Sequence, residues 1–81
     1  MGGSRVEGLV GKLQFHFLEM KLGVAGQVVY YDRNANAIVL GVHTTGPEKI
    51  REVAEVAWES LPEDIREGLG DSGVVFAVRQ I

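Results

Sequence analysis

The chain has no cysteine, two prolines, two histidines and a single tryptophan. Without cysteine there is no disulfide, no thiol nucleophile and no cysteine-bound zinc or iron–sulfur centre. A reducing cytoplasm is the compartment that suits such a chain. His16 and His43 carry no His-Glu-x-x-His or related spacing, too little for a recognisable metal site. Asn and Gln are confined to Gln14, Gln27, Asn34, Asn36 and Gln80, which beside ample Glu points to a thermophilic source. No apolar run reaches the ~18 residues of a membrane span, because Glu7, Lys12, Glu19 and Lys21 interrupt the longest candidate. That stretch also lacks the basic start, unbroken apolar centre and small-residue cleavage site of a signal peptide. Positive charge is short as well. The net charge is −3, with four bases against three acids in residues 1–45 and four against eight in residues 46–81. A nucleic-acid binder draws much of its affinity from phosphate neutralisation, and no basic face is evident to supply it.

What is present is an ordinary globular composition. The 81 residues are 46% hydrophobic and 23% charged, which predicts one soluble domain over residues 1–81, with Met1-Gly2-Gly3 as a loose end. Three motifs fit a capping box, in which a hydroxyl and a Glu three residues on satisfy each other's backbone NH groups. They are Ser4-Arg5-Val6-Glu7, Thr45-Gly46-Pro47-Glu48 and Ser60-Leu61-Pro62-Glu63. In the last two, proline falls near the first helical turn, where its missing NH costs nothing.

Residues 5–22 admit two readings. At helical spacing Val6, Leu9, Val10, Leu13, Phe17 and Met20 share a stripe about 100° wide, with Phe15, Leu18 and Leu22 on the opposite side. Yet Leu13, Phe15 and Phe17 also alternate with Gln14 and His16, as a strand would. The cap at Ser4 and a stop at Gly23 favour the helix. Gln27–Asp32 and Ala37–His43 are rich in Val, Ile and Tyr and predict strands, joined by the turn Arg33-Asn34-Ala35-Asn36. Residues 47–59 predict the clearest helix, with Ile50, Val53, Ala54, Ala57 and Leu61 on one face. A short helix after Pro62 ending near Gly68, a loop over Gly68–Gly73 and a strand over Val74–Ile81 complete the chain. The order α-β-β-α-α-β predicts an α+β two-layer sandwich, a small sheet covered on one face by helices.

Most chemistry-bearing residues have a plain structural reading. Gly68-Leu69-Gly70-Asp71-Ser72-Gly73 matches G-x-G-x-x-G, but a dinucleotide site needs strand before and helix after. Here the order is reversed and Asp71 would oppose a phosphate, so the segment reads as a helix stop. Ser4, Ser60 and Ser72 read as caps or turn residues, with no G-x-S-x-G around them. Glu48, Glu52, Glu55, Glu59, Glu63, Asp64 and Glu67 read as a solvated acidic face. Two features resist this. Adjacent Tyr30 and Tyr31 must point to opposite sheet faces, so at most one is core on a one-sided sheet. The stripe of Phe15, Leu18 and Leu22 needs a second partner, because a helix on one sheet buries only one face. With Trp58 beside the main stripe of its helix, these are the interface candidates.

The loop Gly23-Val24-Ala25-Gly26, then Tyr31-Asp32, then Ala37-Ile38-Val39 before an acidic-faced helix looks like part of the small protein subunit of archaeal ribonuclease P, over roughly residues 6–60. The chain departs from that family in lacking its first strand, its Ser-Gly-Thr-Ile segment and its basic tail. The resemblance implies a ferredoxin-like fold assisting a catalytic RNA. The element order is also similar to the second type of KH domain. That family's phosphate-clamping loop should lie between the two later helices, where this chain has Glu59-Ser60-Leu61-Pro62 and no G-x-x-G.

The expectation is therefore a non-enzymatic interaction module without a cofactor, a homodimer or a subunit of a larger complex, and no membrane protein. The alternative is an RNA-binding subunit of a ribonucleoprotein, with Tyr30, Tyr31, Arg33 and Arg79 as contacts. A small-ligand site would have to be composite, with His43, Tyr30 or Asp32 its first candidates.

Overall fold

The computed structural model describes residues 2–81, with side chains from Arg5 onward. Helix α1 spans Gly2–Met20, strands β1 and β2 span Gly26–Asp32 and Ala37–His43, helices α2 and α3 span Pro47–Ser60 and Glu63–Ser72, and strand β3 spans Val75–Gln80. The sheet has the order β1-β2-β3. β1 and β2 form an antiparallel hairpin in which Tyr30 lies opposite Val39. β2 and β3 are parallel, Val39 beside Ala77, and parallel neighbours require a crossover, which α2 and α3 provide. The result is the expected α+β fold, three helices and a small mixed sheet.

Residues 12–21, open between helix and strand from pattern alone, are helical as far as Met20. A helix puts Leu9, Leu13 and Phe17 one turn apart on one side, and all three are buried against the sheet and α3. The helix begins at Gly2, upstream of Ser4, so Ser4 is not its cap and Gly2-Gly3 is not a loose end. Met1 and the side chain of Ser4 lie outside the described residues. The left-handed residue that ends α1 is Lys21 (φ 56°), two positions before Gly23, which is itself left-handed.

The other two capping boxes do not form either. α2 starts from Gly46 and α3 from Pro62, neither with a side-chain cap bond. Pro47 does occupy the first turn of α2, as its missing NH allows. The Ser60 hydroxyl instead donates back to the Ala57 carbonyl (2.9 Å).

α3 is longer than its glycines suggest. The predicted loop over Gly68–Gly73 is helical as far as Ser72, because Leu69 adds a buried residue to the core. A Cβ on Gly68 would stand 2.8 Å from Leu9 Cδ2, so Gly68 is where α3 meets α1 rather than a stop. The stop is Gly73 (φ 70°), where the Gly73 NH reaches the Gly70 carbonyl and the Val74 NH reaches the Leu69 carbonyl.

Side-chain alternation sends Val29, Tyr31, Ile38, Leu40, Val42, Phe76 and Val78 toward the helices, where Val53, Ala57, Leu61, Ile65 and Leu69 complete one core. β2, the central strand, is buried on both faces although helices cover only one.

Candidate interaction surface

The groups that could do chemistry are tied into the fold. His16 lies 3.1 Å from the Ser60 hydroxyl. That hydroxyl spends its one proton on Ala57, so His16 Nε2 is the donor and the ring clamps α1 to the end of α2. His43 is exposed at the end of β2. No group of three or more His, Asp or Glu converges on a metal site among the described residues. The Ser72 hydroxyl is buried without a hydrogen-bond partner at the wall of an open cleft between α1, the hairpin turn and the end of α3. The charges lining that cleft, Arg5 and Arg33 against Glu7 and Asp71, cancel. Its Tyr31 hydroxyl donates to Asn36 Oδ1 (2.6 Å), whose amide donates to the Gly73 carbonyl (3.1 Å). No histidine or carboxylate bonds the Ser72 hydroxyl, so it has no activating base.

The sheet face away from the helices carries Val28, Tyr30 and Asp32 on β1, Ala37, Val39 and Gly41 on β2, and Val75, Ala77 and Arg79 on β3. Arg79 reaches across β2 and donates to Asp32 Oδ2 at 2.7 Å. This bond, then the Ala35 and Asn34 amides that donate to Oδ1, hold the Asp32 carboxyl below the usual carboxylate range, against a smaller opposing effect of its burial. The close neighbours above Gly41 are Ile81, Tyr30 and Val28. Val39, flanked by Tyr30 on β1 and Ala77 on β3, is completely buried on a face that no helix covers. Tyr30 and Arg79, two of the RNA-contact candidates, thus share this face, but the arginine's charge is balanced by Asp32. Tyr31 points the other way, into the edge of the core, and Arg33 sits exposed in the turn.

Of the interface candidates, Trp58 is half exposed but engaged. Its ring stacks on Phe76 (centroids 6.3 Å), which stacks on Phe17 (5.8 Å). The Arg66 guanidinium lies over it at 4.7 Å and donates to the Leu61 and Trp58 carbonyls at the end of α2. Trp58 is therefore a lid on the edge of the core. Leu22 lies beyond the end of α1 and is half buried against the core. Phe15 and Leu18 are different. They are 64% and 58% exposed on the outward side of the helix that buries Leu13 and Phe17 completely. Beside them runs an open groove with Gly11, Phe15 and His16 on its α1 side and Pro62, Asp64 and Ile65 on its α3 side. Sequence reasoning missed this groove, because it depends on where α3 docks, and helical period alone carries no such signal.

No helix among the described residues is long and apolar enough to cross a membrane. Comparison with protein-family models, with curated proteins and with solved structures finds no match.

Proposed function

We propose that this chain is a non-enzymatic interaction module that assembles through the outward face of α1. The observation that carries the reading is the exposure of Phe15 and Leu18, a turn apart, on a helix whose other side is fully packed. Burying what remains exposed of the two side chains on a partner is worth at most about 1.5–3 kcal/mol each, a driving force that the isolated chain leaves unused. The open sheet face is also apolar in part, through Val28, Val75 and Ile81. Covering it would desolvate the Asp32–Arg79 pair, a cost that the α1 face does not carry. A chain without thiols suits the cytoplasm, and we place its assembly there.

The test is a Phe15→Asp/Leu18→Asp variant, since both positions are exposed and tolerate charge in a monomer. Its circular dichroism and melting temperature are expected to match the unmodified chain. Its sedimentation coefficient should fall to that of a monomer, and any protein that co-purifies with the unmodified chain should be lost. A variant that sediments and co-purifies unchanged overturns the reading. The RNA alternative rests on Tyr30 sharing a face with Arg79, and it predicts binding to single-stranded RNA that requires both.

A further inference from the structure

We infer that the occupant of the α1 face is a second copy of this chain, laid antiparallel along α1 with the two-fold axis at Phe15. The inference rests on the reading above that this face is a docking surface, and it names the partner. Three observations support it. The first is charge. Lys12 precedes Phe15 by three residues and Glu19 follows it by four. The two are a heptad apart, so they lie on one flank of the helix within about 20° of each other. A two-fold axis perpendicular to paired helices brings a flank against the same flank of the other copy. With the axis at Phe15, Lys12 of each copy then stands level with Glu19 of the other, twice over by symmetry. Both residues are exposed, and neither joins the ion pairs among the described residues, which are Lys49–Glu52 and Arg79–Asp32.

The second observation is shape. The groove between α1 and the start of α3 lies on that same flank, and Phe15 forms part of its rim. A symmetric partner therefore presents its own Phe15 ring to this groove while receiving the first ring in return. Gly11, one turn from the axis, has nothing within 4 Å of where a Cβ would stand, which lets the two helices approach closely there.

The third is what the face would reject. Its flank and groove carry Lys12 against Glu19 and Asp64, a net negative balance that disfavours a nucleic acid. The same flank is complementary to itself, because Lys12 of each copy stands level with Glu19 of the other. Self-complementarity is what a two-fold interface requires.

Charge reversal tests this directly. Sedimentation equilibrium on the full chain is expected to show a dimer. Lys12→Glu and Glu19→Lys should each raise its dissociation constant by roughly tenfold, since two symmetric pairs change from attraction to repulsion. The combined Lys12→Glu/Glu19→Lys chain should return to within about threefold of the original. The absence of cysteine permits a second test. In a Lys12→Cys/Glu19→Cys variant the two thiols of one chain are about 10 Å apart along the helix, too far for a disulfide within it. Mild oxidation should therefore yield a covalent dimer and no internal bridge.

A monomer at all concentrations, or single reversals that the double variant does not rescue, overturns the second copy as partner. If Phe15→Asp/Leu18→Asp still abolishes binding of a co-purifying protein in that case, the docking surface stands with a different occupant. If it does not, both fail together.

Discussion

Asp32 shows how one side chain can serve two parts of a small fold. Its Oδ1 accepts the Asn34 and Ala35 amides and shapes the hairpin turn, while Oδ2 anchors Arg79 across the sheet. Only the turn role is legible in sequence, because Asp before Arg-Asn-Ala-Asn is ordinary turn chemistry. The pair with Arg79, 47 positions away, depends on the parallel register of β3. Its titration has a definite sign. The folded carboxyl is held below its unfolded value of 3.8, so its contribution is fully present above that value. It is lost as pH falls through the lowered folded value. Asp32→Asn keeps an oxygen for the turn and removes the charge. Denaturant unfolding at a series of pH values should show the unmodified chain more stable at neutral pH, with the gap closing below about pH 4. Parallel curves down to pH 2 would exclude this role for the pair. The serine caps teach the reverse lesson. Ser60 had the right neighbours for a capping box, yet its hydroxyl is drawn to Ala57 and His16, a competition invisible until α1 and α2 meet.

At the scale of the element, α2 was readable because its apolar residues recur at helical period and its acids face outward. α3 was readable only in its first turns. Gly68 and Gly70 each cost a helix about 1 kcal/mol relative to alanine, and a local reading ends the helix there. Burial of Leu69 and the contact of Gly68 with Leu9 reverse that outcome. The two glycines should therefore respond oppositely. Gly70 has nothing within 4 Å of a Cβ, so Gly70→Ala is expected to stabilise the chain by up to about 1 kcal/mol. Gly68→Val forces Leu9 aside and should cost about 1–3 kcal/mol. Urea unfolding of the two variants decides it, and equal midpoints would mean that the contact between α3 and α1 is looser than described.

For the molecule as a whole, the question is which surface meets a partner, and salt separates the rival readings. An RNA-binding protein making six to ten phosphate contacts loses about 10³–10⁵ in affinity between 50 and 200 mM salt. An assembly held by Phe15 and Leu18, with two exposed ion pairs at its rim, should weaken by less than about tenfold over the same range. Binding measured at the two concentrations separates these cases. A steep loss would return attention to Tyr30 and Arg79.

The amino-acid sequence by itself determined the order of the elements and the kind of all but the first, because hydrophobic period and turn chemistry act within a few residues. Once residues 12–21 are helical, helical spacing alone keeps Phe15 and Leu18 off the buried face of α1. Beyond that helix, three matters were left to the tertiary structure: where α3 ends, which side chains close the open face of the sheet, and whether Trp58 is a lid or an anchor. Each turns on contacts between residues far apart in the chain. Leu9 against Gly68, Arg79 against Asp32 and Arg66 over Trp58 exist only once the sheet has brought its three strands together and the helices have docked on it.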